Sequence, residues 1–570
     1  VTLAHVLQSD WPLGASLFLT PFSIQPAVVT DSGAYITLKD ASVAEVDEIR
    51  FPSCDFSITE NSKPMYNDAE GSSRSFERLI QDILEGGDLI MKRREFLKAM
   101  GFGAASLALP RGMSAVKVSP AKPNVLLIMT DQQRKDTIGA YGNPVIKTPH
   151  LDSLANSGVK CENCYVQHAV CMPSRASIFT GRYPMAHRVR TNGVPLSTRE
   201  DTLAHVFSQN GYRTGGAGKF HFIPHYPYRS PLPMMKTHPE PYYGFQEFHL
   251  GEDGRSGEHW VWIKRNYPEH DKTPDNEIPL KLHNSYWSAS HTIDFVRRCA
   301  KRGEPFFAFC SFVDPHHSYN PPSPYREMYK KQDMPKPIRR PGELEDKPPH
   351  LKARAKKHRT VSQSDHVAYN RTQYYGEVTF IDDSIGRILK ALDEVRVRDD
   401  TLIVFISDHG DLLGDHWLYY KGVAYQQSAN VPLIFNWPGH LKAGKVADGM
   451  MQEIDLFPTI MELVGMEAPA GVQGRSQARV LTTNSGETGY EYVYIEHADS
   501  DYTLRSKKWW FTYYPGKEYG ELYDLEKDPN EFVNLWNNRK LDNVKRELTR
   551  RLLDRIVGTR DPLPLREAPY

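Results

Sequence analysis

Cysteine is scarce in this chain. Six occur in 570 residues: Cys54, Cys161, Cys164, Cys171, Cys299 and Cys310. So few thiols in so long a chain do not make a disulfide framework. Long apolar runs are missing too, and no integral membrane segment is expected. Net charge is absent: 70 Lys plus Arg face 70 Asp plus Glu. That balance gives no electrostatic footing for nucleic acid or an anionic membrane surface. No internal repeat is visible. What is present is core-forming material, 40% apolar and 11% aromatic residues. It suffices for one large α/β domain and a smaller one.

Residues 1–90 show no domain pattern. Met91 then opens Lys92-Arg93-Arg94-Glu95-Phe96-Leu97-Lys98, followed by a mildly apolar stretch from Ala99 to Leu109 and small residues at Ser114-Ala115. This order resembles a bacterial twin-arginine export signal; a basic turn before a short helix is the alternative. Such signals act at an N-terminus. Met91 is therefore read as the true start, 1–90 as a non-native upstream extension and 91–115 as the signal, cut near Ala115. The export machinery is then a partner, and the protein is periplasmic or secreted.

From Asn124 the pattern becomes regular. Val125-Leu126-Leu127-Ile128-Met129 is a continuous apolar run between Pro123 and Asp131, as in a strand buried on both faces. Similar runs occupy Pro305–Val313, Leu402–Ile406 and Pro432–Phe435. Helical spacing is clearest over Tyr375–Leu392. Alternating strands and helices predict a parallel-type sheet covered on both faces. The Pro-, Lys- and Arg-rich segment Ser323–His366 reads as a surface excursion, either a substrate-binding lid or a solvated insertion. The large domain is expected over 123–440. A smaller α+β subdomain is expected over 441–570, with short strands at Glu491–Glu496, Lys508–Tyr514 and Glu521–Leu525 and a helix at Asn543–Val557.

Asp131-Gln132 and Asp408-His409 each follow directly on a predicted strand. Ligands of open α/β sheets gather at carboxyl strand ends. Carboxylate, amide and imidazole groups together suit a hard or borderline divalent cation, although Asp after a strand is also a common turn residue. Cys171-Met172-Pro173-Ser174-Arg175 reads as a helix start, with Pro173 at the first helical position. Cys171 would then lie at the positive end of that helix, where anions are stabilised.

Cys171-x-Pro173-Ser174-Arg175, with Ala176-Ser177 and Thr180-Gly181-Arg182 behind it, resembles the signature of the formylglycine-dependent (type I) sulfatases. The flanks Asn124–Asp131, Lys147-Thr148-Pro149-His150-Leu151-Asp152 and Ser407-Asp408-His409-Gly410 resemble that family in the same order, and the likeness runs from about Pro123 to Asn534. It implies an alkaline-phosphatase-like fold: a large mixed, mostly parallel sheet flanked by helices, with a small C-terminal antiparallel sheet. It implies that Cys171 is converted to formylglycine (3-oxoalanine) by a formylglycine-generating enzyme. It assigns Asp131, Gln132, Asp408, His409 and the modified Cys171 to one divalent metal. Calcium is expected, with manganese or magnesium as alternatives, since Gln132 stands where many relatives carry a second Asp. Gly218-Lys219-Phe220-His221 matches a segment that binds sulfate through Lys219 and the nucleophile through His221. Pro315-His316-His317 matches one whose histidine protonates the leaving alcohol: His316, or His317 on a one-residue slip. Lys421 matches a sulfate-binding lysine, and Arg175 would hold the formylglycine.

Other candidates have plainer readings. Cys161 and Cys164 form a C-x-x-C, but no second pair follows at zinc spacing, so they are read as packed side chains. His187, His225, His416 and His440 are read as surface or flanking residues, Asp411 and Asp415 as loop residues, and Trp260 and Trp262 as buried rather than sugar-stacking. The resemblance points to hydrolysis of a sulfated carbohydrate such as an algal polysaccharide or a glycosaminoglycan. The rivals are a phosphonate or phosphate ester hydrolase of the same superfamily and a non-catalytic glycan-binding relative.

Overall fold

The computed structural model describes residues 122–224, 242–253, 257–483, 489–497 and 500–560, with the backbone of five short strands nearer the N-terminus. The chain divides into two units, Val1–Lys117 and Val118–Tyr570. In the first, Ser16–Thr20, Ser23–Val29 and Tyr35–Thr37 form an antiparallel ribbon, and Glu48–Phe51 pairs with Leu89–Lys92. The export-signal pattern beyond Lys92, its expected cut and His225 lie outside the described residues.

The second unit is built on β1 (Asn124–Thr130), β2 (Val159–Tyr165), β3 (Arg213–Gly218), β4 (Glu247–Leu250), β5 (Phe306–Ser311), β6 (Thr401–Ser407), β7 (Asn430–Asn436) and β8 (Lys445–Gln452). Their order across the sheet is β8-β2-β7-β6-β1-β5-β3-β4. All neighbours are parallel except the two pairs made by β7. The cause is visible in β1, where Val125 to Met129 are all 0% exposed. A strand covered on both faces has no polar side to alternate with.

Alternate residues of β1 enter two cores. Leu126 and Ile128 pack with α1 (Pro149–Asn156), α3 (Asn284–Arg302) and α4 (Ser364–Glu394). Val125, Leu127 and Met129 pack with α2 (Cys171–Thr180) and α5 (Leu456–Leu463). Each fully buried Leu or Ile contributes about 1.5–3 kcal/mol. Among the described residues no helix is long and apolar enough to cross a membrane.

Beyond this sheet, β9 (Tyr492–His497), β10 (Asp501–Ser506), β11 (Trp509–Tyr513) and β12 (Gly520–Asp524) form an antiparallel sheet. Leu548 and Leu552 of α6 (Asp542–Gly558) cover its apolar residues Leu504, Phe511 and Leu522. One expectation is corrected. The main sheet does not end by 440, since β8 is its edge strand. The segment Ser323–His366, expected as a surface excursion, is mostly exposed or half-buried, but it holds the helix Pro349–Lys357 and buries Glu343, Lys347 and Leu351. Lys347 Nζ donates to Tyr523 Oη at 2.8 Å and to the Glu531 carbonyl at 2.6 Å, tying the strap to β12 and the turn behind it.

Candidate active site

Strands β1 and β6 are adjacent and pair Thr130 with Ser407. The next residues, Asp131 and Asp408, therefore leave the sheet side by side. The Gln132 amide donates to Asp408 Oδ1 at 3.0 Å, and Gln132 itself adopts φ +66°. The sharp turn keeps Asp131 at the sheet edge.

Helix α2 brings the thiol to this point. It begins at Cys171, two residues earlier than Pro173 suggested, so Pro173 lies inside the first turn. Proline is tolerated there because first-turn amides have no partner within the helix. All ten helix residues are buried. Cys171 Sγ lies 3.2 Å from His409 Nε2, 3.6 Å from Asp131 Oδ1, 2.9 Å from Lys421 Nζ and 4.0 Å from Lys219 Nζ. Ligand atoms of Asp131, Cys171, Asp408 and His409 all fall within 4.8 Å of one another. One turn along α2, Arg175 pairs with Asp408 Oδ2 at 2.7 Å and Asp131 Oδ2 at 3.1 Å, and donates to Ser311 Oγ at 2.9 Å.

Lys219 follows β3 and pairs with Asp131 Oδ2 at 2.6 Å and Asp253 Oδ2 at 2.5 Å. Gly218 makes this possible. Its φ is +103°, and a Cβ there would stand 1.7 Å from the Ser311 carbonyl oxygen, so only glycine fits. Glu252 accepts the Phe220 and His221 amides, both at 3.0 Å. Lys421 ends a loop in which Leu413, His416, Trp417 and Tyr420 all have positive φ. Such conformations cost about 1–3 kcal/mol each and persist only where packing imposes them. His316 and His317 stack at 4.1 Å between ring centroids. His316 Nδ1 lies 2.7 Å from the His317 carbonyl oxygen, leaving Nε2 for other partners.

Burial alone would raise the Asp131 carboxyl, yet Lys219, His316, Lys421 and Arg175 together hold it well below the usual range. Lys219 is stabilised as a cation against its burial by Asp131 and Asp253. Burial pushes the Cys171 thiol up to about 12; Asp131 adds to this, and Lys219 and Lys421 oppose it. The free thiol is thus held neutral, a poor nucleophile. Burial lowers His409 to about 4 and, with Lys421, holds His316 well below its ordinary value. His221 is 6% exposed and helps lower the nearby Asp253 carboxyl.

The side chain of Gln132 runs away from the thiol. Its Nε2 donates to Asp411 Oδ2, and its Oε1 lies 3.2 Å from His317 Nδ1. Asp411 is therefore no plain loop residue: it is 0% exposed and also accepts from Tyr319 Oη, Leu413 N and Tyr420 N. Asp415 is likewise buried, between Arg134 and Arg371. His187 bonds Ser177, His416 pairs with Glu343 and His440 stacks on Trp437. Trp260 is buried, and Trp262 packs against the same cluster in partial exposure. Cys161 and Cys164 are fully buried in β2, and neither joins a potential metal cluster among the described residues. Asp253 is not flagged by the sequence, and Asp411 reads there only as a loop residue. No strand end or motif flags them, and their partners lie 34 and 279 residues away.

A buried carboxylate, imidazole and thiol cluster at the carboxyl edge of this sheet, with two lysines facing it, defines an alkaline-phosphatase-like hydrolase. The Sulfatase family model matches residues 123–466, and one described as N-sulphoglucosamine sulphohydrolase, C-terminal, matches 414–557. An arylsulfatase from Clostridium perfringens is 33% identical over 475 residues, 77% of this chain and 96% of that protein. An ulvan-active sulfatase from Formosa agariphila is 27% identical, over 79% of this chain and 84% of its own length. Among solved structures, a phosphonate monoester hydrolase from Silicibacter pomeroyi superposes with a TM-score of 0.69 at 26% identity, over 77% of this chain and 96% of its own. The chain belongs to the sulfatase family. It is a sulfuric ester hydrolase.

Proposed function

We propose that this sulfatase cleaves a sulfate ester of a carbohydrate, with Cys171, oxidised to formylglycine, as nucleophile beside one divalent cation. The observation that carries the reading is the place of the Cys171 side chain. It sits at a helix N-terminus among Asp131, Asp408, His409, Lys219 and Lys421. As a thiol it is held protonated there, so an oxidised side chain suits the position better.

The donor set fits a cation. His409 Nδ1 lies 2.9 Å from the Gly410 carbonyl oxygen; donating there, it leaves an Nε2 lone pair facing the cluster. Asp131 and Asp408 add carboxylate oxygens, and Gln132 would add Oε1 by releasing His317. Oxygen-rich sets favour calcium, with magnesium or manganese next. When bound, the metal would polarise the sulfuryl oxygens and acidify the nucleophile.

The remaining roles belong to the chain. Arg175 orients the side chain at 171 and balances the two carboxylates. Lys219 and Lys421 neutralise the sulfuryl group during transfer. His316 protonates the departing alcohol. The charge of an arriving sulfate offsets Lys219 and Lys421, which draws His316 back toward its protonated form. His221 takes the proton released when the aldehyde is restored. Cys171 and Arg175 are 1% and 0% exposed, so a formylglycine-generating enzyme would have to act before folding. Export through the twin-arginine route would follow folding, to a periplasmic or secreted site. The ulvan-active relative supports a carbohydrate substrate.

A phosphonate or phosphate esterase is the second reading, favoured by the likeness to the Silicibacter hydrolase. Lys219 and His221 in Gly-Lys-x-His favour sulfate. The test is kcat/KM for 4-nitrophenyl sulfate against 4-nitrophenyl phenylphosphonate. The sulfate is expected to be turned over faster. Preference for the phosphonate would reverse the assignment, and inactivity on both and on sulfated glycans would leave a glycan-binding protein.

A further inference from the structure

Next to His316 lies a cavity of about 280 Å³. Glu252, Asp253, Asp275, Asp314 and Glu377 line it with His316 and Trp260, and among the described residues no lysine or arginine does. Glu377 comes from α4 and is 1% exposed. Its Oε1 accepts the Asn320 amide, while Oε2 is buried with no hydrogen-bond partner among the described residues. Burial, with Asp314 beside it, pushes this carboxyl well above its usual range. Such a group is costly to bury and is relieved by a cationic donor.

The sulfate end of a substrate is fixed by Lys219 and Lys421, which face Cys171. The cavity shares His316, the group assigned to the leaving oxygen. The alcohol half of the ester therefore occupies the acidic side. We propose that this cavity is a leaving-group subsite selective for an alcohol bearing a protonated amine, as an amino sugar does. The inference rests on the sulfatase reading of the neighbouring site. An ammonium brings donors to Glu377 Oε2 and charge to its carboxylate neighbours. A uronate or a second sulfate offers Glu377 Oε2 no donor and adds negative charge to a wall that holds five carboxyl groups, of which Asp253 is already paired with Lys219, and is rejected.

The test is calorimetric binding to the full-length Cys171→Ala protein in calcium buffer, which removes turnover. The probes are three phenyl sulfates with a para 2-aminoethyl, ethyl or 2-carboxyethyl group. The aminoethyl ester should bind about tenfold more tightly than the ethyl ester, and the carboxyethyl ester more weakly than either. Adding Glu377→Gln should erase the advantage of the amine. Equal binding of the three, no binding by any, a carboxylate preference, or an amine preference that survives Glu377→Gln would overturn the subsite. Turnover by the unsubstituted protein is read separately. Amine-selective binding without any turnover would sink the nucleophile assignment and leave the subsite standing. Turnover without amine selectivity would sink the subsite alone.

Discussion

Asp411 does not touch Cys171, yet it joins two parts of the site. It accepts from Gln132 on one side and from the Leu413 and Tyr420 amides on the other, and so fixes the strained loop that ends at Lys421. Replacing it with asparagine puts an amide where these donors need an acceptor. Leaving such donors unmet costs about 1–3 kcal/mol. Asp411→Asn is expected to lower Tm and also kcat/KM for an aryl sulfate. Unchanged values of both would contradict this bracing role. At this scale the sequence was partly legible. Asp131, Asp408 and His409, which follow apolar strands, and Cys171, which stands in a motif, are brought together by the fold, whereas the Gln132 side chain, expected beside them, bonds Asp411 and His317. Asp253 and Asp411 carry no such signal, because their importance lies in partners brought close only by the fold.

Among the elements, strands with unbroken apolar runs were legible and those without were not. β1, β5, β6 and β7 fall where their runs predict. β3 reads Arg-Thr-Gly-Gly-Ala-Gly and carries no hydrophobic signal. The Phe295 ring occupies the space above Gly215, where a Cβ would lie 2.4 Å from it, so the apolar cover is supplied by α3. Helix α4 was recognised only from Tyr375, because its earlier turns bury polar residues such as Arg371 and Gln373. The strap from 323 to 366 lies largely at the surface, as its composition suggests, but its anchoring through Lys347 depends on partners far along the chain. Glu531, in the turn that receives Lys347, gives this a pH signature. Burial raises its carboxyl to about 8. The unfolded chain ionises near the ordinary carboxylate pKa of about 4.3, so this group loses stability for the fold as pH rises from about 4.3 to 8. The Tm of Glu531→Gln relative to the unsubstituted protein should therefore rise from pH 5 to pH 8 and then level off. A flat difference across that range would contradict the assignment.

At the scale of the whole molecule, the proposed cation would link binding to folding, since Asp131, Asp408, His409 and Cys171 follow β1 and β6 or open α2 and meet only in the folded chain. A ligand at roughly 100 times its Kd adds about 2.7 kcal/mol of stability. Dialysis against a chelator is expected to lower Tm and abolish sulfatase turnover, and added calcium to restore both. Indifference of Tm to chelator and calcium would remove the metal from the account. The central claim is the chemical state of one side chain. The direct measurement is a mass spectrum of the tryptic peptide that ends at Arg175, from protein made in its native host. The account predicts the mass loss of thiol-to-aldehyde conversion at Cys171. An intact thiol at that position in active protein would contradict it.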